Sequence, residues 1–391
     1  MWSAAGLAAG PLVGLGFARF AYALLLPAMA SHLGWSLATA GAMNTANGVG
    51  YLVGALVAAP LGRRWGLAHA FLVSLAITAV AMLGTGATGN TLLLALARLV
   101  SGVGGGVAFV VGGGIVAQAS ARDTPRRAAL LLGTYFGGAG AGIVLSAWLV
   151  PQILAAGPPA LGWRLAWGAL GLLSLLTFLA AVPALRRMGP ASPSRGQRPA
   201  GRSALQSLRP LLVAYGAYGL GYIIYMTFSV ALLEHRGAGR LEVSWFWTVL
   251  GGAAALSGFL WGGVVGRARG GRGAAAAMVV VLVGSVLPLW SSAPILALGS
   301  ALLFGSAFLA VVTAVTSVAR RNLAPEGWTG ALAALTVMFG VGQSIGPLAA
   351  GLMAPALGGI RGGLLFSAAV LGLAAAIAWA QRDGGSPAPT S

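Results

Sequence analysis

Long apolar stretches recur along the whole chain and constrain its fold more than any other feature. A helix crosses about 30 Å of hydrocarbon with about 20 residues, and this 391-residue chain contains twelve stretches of that kind. They lie at approximately 5–29, 38–60, 68–87, 91–118, 127–154, 163–185, 210–233, 244–265, 274–292, 295–318, 329–353 and 362–381. Lipid-facing β-strands would alternate apolar and polar residues, whereas these stretches are continuously apolar. The sequence therefore predicts an all-α, polytopic membrane protein with twelve transmembrane helices.

The composition and the charge distribution both fit a chain embedded in a lipid bilayer. Hydrophobic residues make up 58% of the sequence and charged residues 7%, yet the net charge is +18. Of the 23 basic residues, all arginines, seventeen fall on one side of the predicted spans and four on the other, while Arg19 and Arg98 lie within spans. This distribution reflects topology rather than a nucleic-acid-binding face, and the positive-inside rule predicts cytoplasmic termini. We expect a monomer in a bacterial inner (plasma) membrane, without a nucleic-acid partner.

A polar segment divides the predicted helices six and six. Residues 186–209 are rich in Arg, Pro, Ser and Gly and contain no acid, which is typical of a flexible linker. Its arginines either lie against anionic lipid or recognise a partner. The predicted domains are therefore an N-terminal six-helix bundle at 1–185, the cytoplasmic linker at 186–209, and a C-terminal bundle with a short tail at 210–391.

The two predicted bundles resemble each other in sequence. "GLGFARF" at 14–20 matches "GLGYIIY" at 219–225 with an offset of 205 residues. "GALVAAPLGRRWG" at 54–66 matches "GFLWGGVVGRARG" at 258–270 with an offset of 204 residues. Two segments that share nearly one offset indicate an internal duplication and predict parallel six-helix repeats.

Three motifs give the chain a resemblance to the major facilitator superfamily over nearly its whole length. "PLGRRWG" lies where that family has a conserved loop motif, with Arg63 in place of the family's acidic residue. "RLVSGVG", which begins with Arg98, resembles the fourth-helix motif, and "GVGQSIGPLAAG" at 340–351 resembles a packing motif of helix 11. From these motifs we predict packing and gating roles for Gly102, Gly104, Arg63, Arg64, Gly346 and Pro347.

Two further segments narrow the resemblance. "GLGFARFAYALLLPAM" and "GLGYIIYMTF" are similar to the poorly characterised YbfB/YjiJ-like branch of the superfamily. The resemblance implies two pseudo-symmetric six-helix bundles that expose a central site alternately to each side of the membrane. It also implies that helices 1, 4, 7 and 10 supply most of that site.

Two arginines within predicted spans are the leading candidates for ligand contact. An arginine at the bilayer centre costs about 2.5 to 3.5 kcal/mol on insertion scales, so it usually faces a bundle interior or water. Counting residues along the helices places Arg19 and Arg98 at similar depths. Guanidinium groups pair with carboxylates and phosphates, which predicts an anionic substrate. The alternative is structural, with Arg98 in particular tying its helix to neighbouring carbonyl groups.

Other polar side chains recur at helical spacing inside the predicted spans. Tyrosines at 215, 218, 222 and 225 share one face of helix 7, and Asn44, Asn47 and Tyr51 form a row on helix 2. They either line a cavity or join helices by hydrogen bonds, and Tyr215 is also placed to join an interfacial aromatic belt. The predicted substrate-binding residues are Arg19, Tyr22, Arg98, Tyr218, Tyr222, Tyr225, Asn44, Asn47 and Gln343.

The acidic and sulfur-containing residues limit the possible functions. All five acids lie in connections, helix ends or the tail, which disfavours a carboxylate-dependent cation antiporter. With no cysteine, no His-Glu metal pattern and no paired carboxylates, we predict no enzymatic activity, no cofactor and no metal. The predicted function is secondary or facilitative transport of a small solute, with an organic anion favoured. The alternatives are efflux of drugs or other hydrophobic compounds and a non-transporting sensor.

Overall fold

A computed structural model describes residues 2–121, 123–188, 202–291, 293–323 and 325–383. Within them, twelve helices are long and apolar enough to span a membrane, and no strand is present. In chain order they are α1 (Ala4–Leu33), α2 (Leu37–Trp65), α3 (Leu67–Ala87), α4 (Thr91–Ser120), α5 (Pro125–Ala156), α6 (Pro159–Met188), α7 (Arg209–His235), α8 (Arg240–Arg267), α9 (Arg272–Trp290), α10 (Pro294–Asn322), α11 (Pro325–Met353) and α12 (Ile360–Trp379). The prediction of twelve helices is confirmed.

Most helices extend beyond the apolar stretches that predicted them. Helix α2 continues past residue 60, through the exposed Arg63 and Arg64, to Trp65. Long basic side chains at a helix end reach into the polar interface, so the helix can continue beyond its apolar residues. For the same reason α6 continues through Arg186 and Arg187 to Met188, into the segment predicted as a linker. Residues 189–201 of that segment lie outside the described residues, and Arg202–Ser207 forms a short helix.

Helix α1 departs from the regular α-helix expected over its apolar stretch. Trp2–Leu7, Ala9–Pro11 and Tyr22–Leu33 are α-helical, whereas Leu12–Phe20 forms a nine-residue π-helix. The π-helix ends with a hydrogen bond from the Ala21 N–H to the Gly16 carbonyl at 2.9 Å. Such helices are rare and occur often at functional sites. This segment contains Arg19.

Glycine pairs allow the central helices to approach closely. Among the twelve helices, α1 and α7 are the most buried. A Cβ atom on Gly14 would lie 2.9 Å from the Gly105 Cα of α4, and one on Gly16 would lie 2.6 Å from the Gly142 Cα of α5. The glycine runs of α4 and α5 therefore serve close backbone packing.

Hydrogen bonds show which helix ends share one side of the second half. The Leu211 N–H of α7 donates to the Gln381 side chain after α12, and the Gly270 N–H after α8 donates to Asp383. Arg321 near the end of α10 donates to the Gly270 carbonyl. We call this side, where α6 ends and α7 begins, the linker side, and the opposite one the far side.

The two halves of the chain meet closely on the far side. A Cβ atom on Gly41, near the start of α2, would lie 2.2 Å from the Pro347 carbonyl oxygen of α11. One on Gly351 would lie 2.3 Å from the Leu37 carbonyl oxygen. Backbone contact at this distance leaves no room for a side chain, so α2 and α11 are in direct backbone contact on the far side.

The glycines predicted to pack or gate lie at helix contacts. A Cβ atom on Gly102 would lie 2.1 Å from the Asn47 carbonyl oxygen, joining α4 to α2. On the next face of α4, a Cβ atom on Gly104 would lie 2.3 Å from the Thr78 hydroxyl of α3. A Cβ atom on Gly346 would lie 2.5 Å from a carbonyl oxygen of α7.

Candidate functional site

Arg19 is buried at the centre of the helical assembly without a hydrogen-bond partner. Its side chain is 1% exposed, and none of its three guanidinium nitrogens makes a hydrogen bond among the described residues. The guanidinium carbon lies 5.3 Å from the centroid of the Tyr51 ring. The Tyr222 hydroxyl lies close to the same guanidinium but outside hydrogen-bond geometry. Arg19 therefore presents a buried, unpaired positive charge.

Arg98 occupies the same level but is engaged with its surroundings. One terminal nitrogen donates to the Ala18 carbonyl, and the other donates to the Asn44 side-chain oxygen at 3.5 Å. The guanidinium carbon lies 4.7 Å from the ring centroid of Tyr22 and 5.1 Å from that of Trp167. These contacts match the structural alternative for Arg98, in which it ties α4 to α1.

The asparagines of α2 are bonded to neighbouring helices. Asn44 donates to the Thr227 hydroxyl of α7 at 2.6 Å, which links the two halves of the chain. Asn47 donates to the Arg98 carbonyl and to the Ser101 hydroxyl, both at 3.1 Å. The side-chain amide nitrogens of both residues therefore join helices by hydrogen bonds, as in the second of the two alternatives for this row.

The tyrosine stripe of α7 faces α10 and α11. The Tyr218 hydroxyl donates to the Phe308 carbonyl at 2.7 Å, and the Tyr225 hydroxyl is bonded to the Ser300 hydroxyl. The Tyr222 hydroxyl donates to the Gln343 side-chain oxygen of α11 at 2.9 Å. Of the predicted stripe, Tyr222 is the member placed beside Arg19.

Two other predicted tyrosines are buried at helix contacts. Tyr215 is 5% exposed and stacks on Phe339 with a centroid separation of 4.7 Å, so it lies in the aromatic core rather than in an interfacial belt. The Tyr22 hydroxyl donates to the Ala40 carbonyl at 2.7 Å, joining α1 to α2.

Arg19, Tyr51, Tyr222 and Gln343 form one group, which we call the Arg19 cluster. The Gln343 side-chain nitrogen is buried and, like the nitrogens of Arg19, makes no hydrogen bond among the described residues. The unsatisfied groups of the cluster are thus all donors. Buried donors are normally paired, and the partner that complements a guanidinium fork and an amide N–H is a carboxylate or phosphate oxygen.

The surroundings supply no counter-charge. The two ion pairs among the described residues, Arg127 with Asp123 at 3.3 Å and Arg321 with Asp383 at 3.9 Å, lie at helix ends. The described residues also contain no group of three or more His, Cys, Asp or Glu side chains that could hold a metal. Among the described residues, neither ion pair involves Arg19, so no carboxylate of this part of the chain balances its charge.

Several aromatic residues lie beside Tyr222 or Arg98 but are not among the residues that the sequence predicts for the site. Phe308 and Phe339 stack beside Tyr222, at centroid separations of 6.3 and 5.4 Å. Trp167 lies beside the Arg98 guanidinium. A phenylalanine or tryptophan within an apolar helix does not stand out from its apolar neighbours, so these three residues give no signal in the sequence. Tyr51 does give one, through its spacing from Asn44 on α2.

The helix arrangement is shared with solved transporters. A point mutant of the nucleoside transporter NupG has a TM-score of 0.73 at 14% identity, covering 96% of this chain and 99% of that one. A bacterial homologue of the human lysosomal transporter Spinster, in an inward-facing and occupied conformation, has a TM-score of 0.73 at 16% identity, covering 98% of both chains. The human organic anion transporter MFSD10 (TETRAN) has a TM-score of 0.66 at 19% identity, covering 96% of this chain and 99% of that one.

These similarities and the twelve spans define a multi-pass membrane protein with the major facilitator fold. The family model described as "Uncharacterised MFS-type transporter YbfB" matches residues 11–379, so the chain belongs to that family. Among curated proteins, none matches the sequence.

Proposed function

We propose that this transporter moves a small organic anion with one carboxylate group and an uncharged remainder. The observation that carries the proposal is the buried guanidinium of Arg19, whose three nitrogens are unpaired. Leaving a charge buried and uncompensated is costly, and an anionic substrate would remove that cost while it is bound. The unpaired groups of the Arg19 cluster are all hydrogen-bond donors. An ionised carboxylate only accepts hydrogen bonds, so it complements them.

The different environments of the two arginines favour a single negative charge. Arg98 already bonds Ala18 and Asn44 and lies against two aromatic rings. Arg19 has the Tyr51 ring and the Tyr222 hydroxyl beside it, and its nitrogens make no hydrogen bond among the described residues. A second carboxylate would meet the aromatic stack of α7, α10 and α11, where charge is unfavourable. An apolar or aromatic remainder would be stabilised there.

The packing between the halves supports alternating access. α2 and α11 touch through glycine backbone on the far side, and small residues allow packed helices to separate without unlocking large side chains. The Asn44–Thr227 hydrogen bond also has to break if α2 and α7 part. The Spinster homologue was solved in an inward-facing and occupied conformation, which supports a cycle of this kind. The human MFSD10 protein is an organic anion transporter, which supports this substrate class.

Efflux of hydrophobic compounds is the second candidate function. The buried aromatic stack around Tyr218, Tyr222 and Phe339 favours it. The unpaired Arg19 opposes it, because a neutral or cationic compound would leave that charge uncompensated.

Thermal unfolding of the purified protein with matched ligand pairs separates the two candidates. Benzoate and benzamide, or hexanoate and hexanamide, have similar shapes but differ in charge. A ligand at 100 times its Kd stabilises the folded state by about 2.7 kcal/mol. We expect some carboxylates to raise the melting temperature and their amides to leave it unchanged. Equal shifts from amides or cationic drugs would contradict the proposal.

Removing the Tyr222 hydroxyl is expected to weaken substrate binding. Tyr222→Phe frees the Gln343 oxygen and removes the hydroxyl beside Arg19, while the ring stays in place. A neutral hydrogen bond contributes about 0.5 to 1.5 kcal/mol, which corresponds to a Kd increase of about two- to tenfold. Tyr225→Phe is the matched control, since its hydroxyl is bonded to Ser300 of α10. Equal Kd values for both variants and the parent would place the Tyr222 hydroxyl outside the site.

We propose that the linker side is cytoplasmic, because most arginines lie there. Single cysteines on the cysteine-free background test this orientation. Ala121→Cys lies after α4 on the linker side, and Gly239→Cys lies before α8 on the far side; both positions are exposed. A reagent that cannot cross membranes should label Gly239→Cys but not Ala121→Cys in intact cells. The reverse labelling pattern would invert the topology.

A further inference from the structure

A basic recess lies on the linker side, away from the Arg19 cluster. It has a volume of about 500 Å³ and is formed by the turn between α8 and α9 and by the chain just after α12. We call it the α9 recess. Its lining includes Arg269, Arg272, Trp379, Arg382 and Asp383.

Hydrogen bonds fix the walls of the α9 recess. Gly270 has a φ of +55°, a conformation that suits glycine, and its N–H donates to Asp383 at 2.7 Å. The Gly271 N–H donates to the Gln381 carbonyl at 2.9 Å. The Gln381 side chain is 4% exposed and also accepts from the Leu211 N–H of α7. The turn and the end of α12 are therefore held together as one built surface.

The charges of the α9 recess do not cancel. One oxygen of Asp383 accepts from Gly270 and the other lies 3.9 Å from Arg321, so both are engaged. Arg269, Arg272 and Arg382 form no ion pair among the described residues. Three arginines without a carboxylate partner among the described residues thus line the recess. The N-terminus of α9, which begins at Arg272, adds the positive end of a helix dipole.

The aromatic residue of the α9 recess places it at the edge of the membrane. Trp379 ends α12 with 60% of its surface exposed, and the Arg272 guanidinium carbon lies 5.3 Å from its ring centroid. Tryptophan concentrates where a span meets the headgroup region. The recess therefore lies at headgroup level, where its arginines can reach lipid phosphates.

We propose that the α9 recess binds a phosphate group, supplied by the headgroup of an anionic phospholipid. Arginine pairs with phosphate through two parallel N–H···O bonds, and basic pockets between transmembrane helices take anionic headgroups. The bound lipid would connect the α8–α9 turn to the end of α12. This site is independent of the Arg19 cluster and of the proposed substrate.

Lipid-dependent stability tests the proposal on the purified full-length protein. Dioleoylphosphatidylglycerol, dioleoylphosphatidylcholine and inorganic phosphate are titrated separately while the melting temperature is followed. Native mass spectrometry counts the retained lipids. The recess variant is Arg269→Gln/Arg272→Gln, with Arg382→Gln as a second, single variant outside any helix. The matched control, Arg186→Gln/Arg187→Gln, removes two exposed arginines from the end of α6 on the same side.

Phosphatidylglycerol should stabilise the parent and the control alike, whereas phosphatidylcholine and inorganic phosphate should not. The recess variant should bind phosphatidylglycerol about tenfold more weakly, and Arg382→Gln should show a smaller loss in the same direction. Equal phosphatidylglycerol responses in the recess variants and the control would overturn the site. Stabilisation of the parent by inorganic phosphate to the same extent, lost in the recess variant, would overturn the lipid as its source.

Discussion

Arg19→Ala is expected to abolish carboxylate binding while leaving the protein folded. The two parallel hydrogen bonds of a guanidinium to a carboxylate contribute about 1.5 to 3 kcal/mol each, so Kd should rise at least about 100-fold. The melting temperature without substrate should stay constant or rise, because the substitution removes a buried charge that has no partner. Arg19→Lys keeps the charge but loses the planar fork, and it should recover only a small part of the affinity. Isothermal titration and thermal unfolding of the same preparations measure both effects.

Arg98→Ala is the matched control for this prediction. Its guanidinium lies at the same level, yet it bonds the Ala18 carbonyl and the Asn44 side chain. Its removal leaves buried acceptors unpaired, so the melting temperature should fall. The two substitutions should thus have different effects: Arg19→Ala should lower the substrate affinity, and Arg98→Ala should lower the melting temperature. A lower melting temperature for Arg19→Ala with unchanged affinity would make Arg19 a structural residue.

Gly41→Ala is expected to prevent the far side from closing. The added Cβ would lie 2.2 Å from the Pro347 carbonyl oxygen, whereas ordinary contact begins at 3.4 Å. The obstacle is backbone, so α2 and α11 have to separate by about 1 Å, which tight packing resists. We expect transport in proteoliposomes to fall at least about tenfold, which needs a shift of only about 1.4 kcal/mol between the two states.

The opening itself is measured between spin labels on the two halves. Ser31→Cys at the end of α1 and Leu357→Cys after α11 are both exposed on the far side. Their mean separation should increase in Gly41→Ala relative to the parent. Gly84→Ala controls for the helix-favouring effect of alanine, because a Cβ there meets nothing within 4 Å. An unchanged label distance with full transport would show that this glycine contact does not gate access.

The helices and the arginines were predictable because each depends on a local property of the sequence. An apolar run of about 20 residues has few alternatives to a membrane-spanning helix, so the run that became α9, for example, is clear without a structure. Arg19 and Arg98 are conspicuous because charge is rare in such runs. Counting residues along two antiparallel helices also placed both at one level, and the contact between Arg98 and Ala18 agrees.

The different environments of these arginines were not predictable, because they depend on geometry between helices. Nothing in "GLGFARF" specifies a π-helix; its glycines permit the close packing that α4 and α5 impose. Whether a guanidinium meets a carbonyl or remains unpaired is decided by differences of about an ångström. The partner of Asn44 on α7, 183 residues away, has no signal in a single sequence.

A structure of the complex tests the central claim most directly. The protein is solved with the carboxylate that gives the largest thermal shift in the matched-pair experiment. The account predicts a carboxylate oxygen within about 3 Å of the Arg19 guanidinium, with the uncharged remainder against the rings of Tyr222 and Phe339. A ligand bound elsewhere, with the Arg19 nitrogens still unpaired, would contradict it.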